Sequence, residues 1–376
     1  MNFNYYLPVN LIFGRGKTDL LGETVLKYGK KALIVTGTGS TKKSGLLDRS
    51  ITLLNDNNIE TCIYDKVQQN PLTTTAIEGA KVAKDNNCDV VVGIGGGSIM
   101  DCAKAIAFLA VNDGDISDYI FNIKTSENAL PIILVPTTCG TGSEGNGFAV
   151  LTNPDNGDKK SLRCNAIIPK ASIIDSMLME TMPKHVLAAV GFDALCHNME
   201  AYMAKAAQPF TDILAIYAMQ LINESLVKLY KGETTDELWD KLTLASTIGG
   251  MVINTAGVTV SHGMEHPASG IRNIIHAKGL AALTPVIMKK TTDKTQEKCT
   301  VISKCIGGKD YTDCTERIEK IICSLDMKTT LSEQGITKED IPWMVENYFK
   351  ISIGGHNNHP VAFTKEEIVE IYKLAL

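Results

Sequence analysis

Apolar residues in the first half of the chain fall in short compact runs separated by longer amphipathic stretches. Lys31–Thr36 (KALIVT), Ile59–Tyr64, Asp89–Ile94 (DVVVGI) and Pro131–Pro136 (PIILVP) are such runs. A run that is continuous rather than alternating predicts a strand buried on both faces. Between them, Gly45–Asn58, Thr73–Asn87 and Ser98–Ala110 carry apolar residues at helical spacing, as in Leu46, Leu47, Ile51, Leu53 and Leu54. Thr73 is of a residue type that caps helix starts. Strands spaced by helices predict parallel βαβ units.

From about Pro183 the pattern changes. Lys184–Ala204, Phe210–Lys231 and Asp236–Ala256 are long helical patterns, others follow to the C-terminus, and strand-like runs are scarce. The chain thus divides into an α/β domain of mostly parallel sheet with helices, 1–182, and a helical domain, 183–376, with the boundary near Met182–Lys184. No Pro-, Ser- or Gly-rich linker separates them, so they are expected to pack closely around a cleft.

A length of 376 residues suits two domains. With 37 Lys and Arg against 42 Asp and Glu, the formal net charge is −5. That balance argues against nucleic acid or an anionic membrane as partner, since both select a basic footprint. No apolar run approaches the roughly 20 residues of a spanning helix. The opening MNFNYYLPVNLIFGRG has no basic n-region followed by an apolar h-region, so the expectation is a cytoplasmic protein. The ten cysteines form no CxxC pair and read as free thiols. Cys102, Cys139 and Cys196 lie near the motifs below and read as apolar filler.

Gly95-Gly96-Gly97-Ser98 follows the third strand and opens a helix. Glycine lets backbone N–H groups approach an anion, and a helix N-terminus carries partial positive charge, so the natural guest is a pyrophosphate. The run is not GxGxxG, and alone it reads equally as a plain tight turn. Two further loops change that balance. Gly37-Thr38-Gly39-Ser40 follows the first strand, and Thr137-Thr138-Cys139-Gly140-Thr141-Gly142-Ser143 follows the fourth. Open α/β sheets bind ligands outside the carboxyl ends of their strands. Three small, hydroxyl-rich loops there make a nucleotide cradle; hydroxyls serving their own turns are the alternative.

Of seven histidines, four fall in three short segments of the helical half. Asp193 and His197 are spaced i, i+4, as are His262 and His266, so each pair shares a helix face. His276 follows ten residues after His266. A carboxylate with imidazoles suits Fe²⁺ or Zn²⁺. Spacing leaves five candidate ligands: Asp193, His197, His262, His266 and His276.

Here the residues carry a resemblance. LIFGRG, GGGSIMDCAK, VPTTCGTGSEGNGFAVLTN, GFDALCHNMEAY, SHGMEHPASG with His276, and the closing TKEEIVEIYKLAL run in order through nearly the whole chain. In this combination the chain resembles the iron-containing (group III) alcohol dehydrogenase family, and its butanol-dehydrogenase-like branch. The resemblance implies a dinucleotide-binding α/β domain, an all-α metal-binding domain, a dehydroquinate-synthase-like architecture and a homodimer. It places the metal ligands at Asp193, His197, His262 and His276, and leaves His266 in the cleft as a relay for the alcohol proton. Pyrophosphate contacts fall on Gly96, Gly97 and Ser98, with Gly95 and Asp101 of the same segment among the cofactor residues. Asn70, Thr137, Thr138, Thr141, Asn146, Lys159 or Lys160, and Leu178 complete the implied cofactor set.

Two departures from the family pattern stand out. NAD-preferring relatives carry an Asp after the first strand, where this chain has Gly37. Without that carboxylate a ribose 2′-phosphate meets no repulsion. Thr38, Gly39 and Ser40 offer it hydrogen bonds, and Lys42 or Lys43 adds charge, so NADP(H) is expected over NAD(H). The second departure, Gly354–Pro360 (GGHNNHP), reads as a local loop peculiarity. The implied activity is hydride transfer between NADP(H) and a small primary alcohol or aldehyde of the butanol type, with Fe²⁺, or alternatively Zn²⁺. A propanediol- or glycerol-type dehydrogenase, a dehydroquinate-synthase-like cyclase and a non-catalytic binding protein are the alternatives. The cyclase needs a basic pocket, and the segments around Asp193 and His262 are poor in Lys and Arg.

Overall fold

The computed structural model describes residues 2–376. Among the described residues eight strands occur: β1 (Asn10–Phe13), β2 (Lys31–Gly37), β3 (Glu60–Val67), β4 (Val90–Gly95), β5 (Ile132–Pro136), β6 (Phe148–Thr152), β7 (Lys159–Arg163) and β8 (Ala171–Ile174). Six of them form one sheet in the order β1-β8-β5-β4-β2-β3, parallel throughout. β4 and β5 are buried along their whole length because both sheet faces are covered. Leu33, Val35, Val91 and Leu134 face the helix Gly97–Leu109, while Ile34, Val92, Ile133 and Val135 face Leu46–Asn55. This is the double burial that continuous apolar runs require.

Four strands of the sheet coincide with the apolar runs to within a few residues. The rest differ for physical reasons. β1 and β8 are only four residues each, too short to rise above background. β6 and β7 form an antiparallel hairpin, Val150 opposite Ser161, whose second strand (KKSLR) is half charged. The helix predicted from Thr73 does begin there, but Thr73 is its first helical residue. Leu72 occupies the cap position and makes no side-chain cap bond.

The chain passes from β2 to β3 on one side and then to β4 on the other side of β2. That reversal is a topological switch point, and it sets the loops after β2, β4 and β5 side by side. The helical half contributes Lys184–Met203, Pro209–Tyr230, Asp236–Ala256, Val260–Arg272 and His276–Thr291, followed by shorter helices. Among the described residues no single helix is long and apolar enough to cross a membrane.

The two halves meet where the loop after β5 lies on the Asp236–Ala256 helix. Gly142 adopts φ +58°, and a Cβ on Gly250 would stand 1.8 Å from its carbonyl oxygen. Only backbone fits on either side. The contact is fixed by polar bonds: Gly147 N–H donates to Asn254 Oδ1 (3.0 Å), and Thr247 Oγ1 donates to Glu144 Oε1 (2.7 Å). Gly250→Ala is expected to force the loop off the helix at a cost of about 3 kcal/mol. A urea midpoint equal to that of the native protein would contradict this close approach.

Candidate metal centre and nucleotide cradle

Asp193 and His197 lie in the middle of the Lys184–Met203 helix, where fifteen of twenty residues are buried. His262 sits in the first turn of Val260–Arg272, and His276 is the first residue of the next helix. Asp193 Oδ1 receives both imidazoles. His262 Nε2 is 3.3 Å from it and His276 Nε2 is 3.6 Å from it. One atom from each of the three lies within 4.8 Å of the other two. His197 stands beside this group. Its ring stacks on His262 with centroids 4.4 Å apart, and its Nδ1 is 3.8 Å from Asp193 Oδ1 and 3.3 Å from the Gly140 carbonyl oxygen.

The opposite edge of two rings is held by a buried glutamate. His262 Nδ1 meets Glu200 Oε1 at 2.5 Å, and His276 Nδ1 meets Glu265 Oε2. Glu200 also accepts from the Thr259 amide (2.6 Å) and hydroxyl (2.9 Å), and Glu265 accepts from Ser269 Oγ. A carboxylate on Nδ1 fixes the tautomer and turns the Nε2 lone pair inward. Two inward lone pairs then face a carboxylate oxygen. Three acceptors pointing at one another call for a cation, so the residues fit a divalent metal with mixed nitrogen and oxygen ligands.

The electrostatics agree. Burial opposes charge on Asp193, but the imidazoles of His197, His276 and His262 outweigh it and hold its carboxyl well below the usual range. Burial also opposes a charged His262, yet Glu200 and Asp193 carry it up to about 10. A field that draws a proton between two carboxylates draws a metal ion by the same means. His197, with less compensation, is pushed down to about 4 by burial.

His266 lies apart from the converging atoms, with its ring centroid 5.9 Å from that of His276 and 6.4 Å from that of His262. Burial, then the nearby Lys159 charge, keep it well below the ordinary histidine value. The segment read as a loop is mostly helix, Ile353–Asn358; His356 meets Tyr348 OH (2.9 Å), and His359 meets Thr291 Oγ1 (3.1 Å) and lines a small cavity with Glu200 and Thr259, outside the converging ligand atoms.

In the nucleotide half the loops after β4 and β5 touch. Thr137 N–H donates to the Gly95 carbonyl (3.0 Å), and a Cβ on Gly97 would strike Thr141 at 2.3 Å. Gly96 and Ser98 flank that contact, with Thr138 next to Gly96. A cavity lies against the end of β2, lined by Ser40, Thr41, Ser44, Arg49, Thr137 and Leu178. Thr38 and Gly39 connect β2 to its rim. Lys42, expected to add charge here, is instead paired with Asp65, whereas the Lys43 stem runs beside Gly39.

Other expected cofactor residues are engaged within the protein. Asp101 accepts from Ser143 Oγ (2.6 Å) and the Val150 amide (2.9 Å). Asn146 is buried and accepts from Lys104 Nζ (2.9 Å) and the Phe148 amide (3.0 Å). Asn70 has a left-handed backbone (φ 51°) and donates to Asn273 Oδ1 (2.7 Å), tying the two halves together. Lys160 Nζ reaches the Ile351 carbonyl (2.7 Å), while Lys159 turns inward toward Glu265.

Sequence reasoning missed Glu200, Glu265 and Lys104. Glu200 lies three residues after His197, and Glu265 lies between His262 and His266, so helical spacing already put both on the ligand faces. Lys104 is wholly buried, with its ammonium 2.6–2.9 Å from four oxygens of Ser143, Asn146 and Phe148. Nothing in its spacing distinguishes it from a surface lysine.

Comparison with known proteins supplies the family. The model for iron-containing alcohol dehydrogenases matches residues 8–176, and the model for the C-terminal part of that family matches 187–376. The chain is 33% identical to alcohol dehydrogenase 4 of Saccharomyces cerevisiae, covering 99% of this chain and 98% of that protein. It is likewise 33% identical to the 1,3-propanediol dehydrogenase of Citrobacter freundii, with 99% and 98% covered. Other relatives are named as NAD-dependent methanol dehydrogenase and as NADH- or NADPH-dependent butanol dehydrogenases. Among solved structures, an archaeal halo-thermophilic Red Sea brine pool alcohol dehydrogenase superposes with a TM-score of 0.96 at 33% identity, covering 100% of this chain and 99% of that one. With both halves matched in order and the site's donors brought together at their junction, this chain belongs to the iron-containing alcohol dehydrogenase family.

Proposed function

We propose that this protein interconverts a small primary alcohol and its aldehyde, of butanol and butyraldehyde size, using NADP(H) and a divalent metal. The metal is Fe²⁺, with Zn²⁺ as a substitute, and its ligands are Asp193, His197, His262 and His276. The observation that carries this reading is the convergence of two glutamate-backed imidazoles on Asp193 beside the loop after β5. When bound, the metal supplies Lewis acidity toward the substrate oxygen, and the nicotinamide supplies or accepts the hydride.

The residues of this chain do the rest. Gly96, Gly97 and Ser98 receive the pyrophosphate at a helix start. Asp101 and Lys104 brace Ser143, Asn146 and Phe148, so the loop facing the nicotinamide is held rigid. His266, kept neutral by burial, takes the alcohol proton toward solvent. The cyclase reading is not favoured, because the one lysine or arginine paired with this centre's carboxylates, among the described residues, is Lys159.

The preference for NADP(H) rests on Gly37, which brings no carboxylate to the end of β2, and on Arg49. Arg49 lines the cavity there, held by Asp19 at 2.5 Å. An arginine in this place suits a ribose 2′-phosphate. The homodimer rests on an exposed apolar face formed by Phe210, Ile213 and Tyr217 on one helix, with Phe3 packed edge-on to Phe210. Ten free thiols suit the reducing cytoplasm.

Three outcomes are expected. Asp193→Ala and His262→Ala should lose bound metal and reduce butyraldehyde turnover by more than about 100-fold. Either variant keeping both metal and full turnover would defeat the assignment. Arg49→Gln should lower kcat/KM for NADPH about tenfold while leaving that for NADH within about twofold. A wild-type enzyme with strong NADH preference would overturn the cofactor reading itself. Ile213→Asp should shift the protein from dimer to monomer in light scattering, and an unchanged mass would place the interface elsewhere.

A further inference from the structure

Lys159 belongs to β7 in the nucleotide half, yet its ammonium lies 3.6 Å from Oε2 of Glu265 in the helical half. The side chain is 6% exposed and its partner not at all. At that separation the contact is an ion pair without a hydrogen bond. Glu265 is the carboxylate that holds His276 Nδ1. The same ammonium also acts on His266 and Asp101, and Asp101 already has its own lysine in Lys104. Glu265 is therefore where the charge of Lys159 is needed.

The charges of the centre then balance. Asp193, Glu200 and Glu265 bring three negative charges, all buried. With Nδ1–H of His262 and His276 given to glutamates and the other ring nitrogens turned to a metal, the imidazoles add none. A divalent ion offsets two of the three, and Lys159 offsets the third. A buried cluster is stable only when its charge is compensated.

We propose that Lys159 is a positioning residue that makes the pocket neutral for a divalent ion and so holds iron in the ferrous state. The inference rests on the metal reading above. One-electron oxidation would leave an uncompensated positive charge in a poorly screened site, which is unfavourable. Removing the ammonium leaves the ferrous pocket at minus one, and oxidation then restores neutrality.

The test loads wild type, Lys159→Met, Lys159→Gln and Lys159→Arg with Fe²⁺ anaerobically and titrates each with ferricyanide. One electron passes from Fe²⁺ to ferricyanide, giving Fe³⁺ and ferrocyanide, and the ferric fraction is read by electron paramagnetic resonance. At fixed potential, the Fe³⁺/Fe²⁺ ratio should rise about tenfold in the Met and Gln variants, a shift of about 59 mV for a one-electron couple. Lys159→Arg should stay within about twofold of wild type, because its charge is kept. Lys159→Met combined with Glu265→Gln restores the balance and should return the ratio toward wild type. The Gln variant keeps the comparison valid where the Met variant does not fold. Identical ratios in wild type and the neutral variants would overturn the proposal, as would an Arg variant that shifts with them. Wild-type protein that takes up no iron would instead sink the metal assignment and is read separately, by metal content.

Discussion

Three carboxylates buried around three imidazoles are the constraint on which this structure turns. Each buried charge left unpaired costs several kcal/mol. Asp193, Glu200 and Glu265 are each at most 5% exposed, so their compensation has to be built in. The protein does this with geometry. Glu200 on one helix reaches His262 on another, Glu265 reaches across to His276, and both rings return to Asp193. The three helices that carry these residues are thereby locked at one relative placement before any ligand arrives. A site built this way resists drift, because moving one helix breaks a buried charge pair.

The nucleotide half is fixed to that centre by a different device. Lys104 and Asp101, one turn apart on the helix that opens at Gly97, reach across to the loop after β5 and to β6. Burial lowers Lys104 to about 8, against the opposing pull of Asp101 and Glu144. The loop so held is the one whose Gly140 carbonyl faces His197 and whose Gly142 lies on the Asp236–Ala256 helix. One short segment therefore meets the glycine-rich turn after β4 on one side and the helix that carries Asp193 and His197 on the other. Hydride transfer between a nicotinamide ring and the carbon that bears a substrate oxygen needs such a shared wall, since small displacements of reacting groups are costly in rate.

Much of this was legible in the sequence because burial on both faces of a parallel sheet leaves unbroken apolar runs. β2, β4 and β5 could be read for that reason, and their glycine-rich exits pointed to the switch point. β1 and β8 escaped because four residues carry too little pattern, and β7 because KKSLR looks like a surface loop. Two of its charged residues are turned to specific partners instead, Lys159 to Glu265 and Lys160 to the Ile351 carbonyl. Such pairings depend on contacts more than a hundred residues away, which local spacing does not encode.

The candidate ligands were easier to read than their supports, and the reason is chemical. Histidine is scarce in this chain, so two i, i+4 pairs attract notice. Glutamate is common, so Glu200 and Glu265 pass as solvent-facing helix residues until the fold shows them buried. The same asymmetry applies to the cofactor end. Gly37 is visible as a missing carboxylate, but the fate of the nearby Lys42 is not, because Asp65 holds it. Arg49 lines the cavity instead, brought there by the turn between two helices and paired with Asp19. Which cation can meet a phosphate there depends on where the helices place it as well as on competing ion pairs, since Lys42 and Arg49 each have an aspartate partner. Sequence proximity brings forward Lys42 and Lys43, but the fold turns Lys42 to Asp65 and sets Arg49, itself paired with Asp19, in the cavity wall.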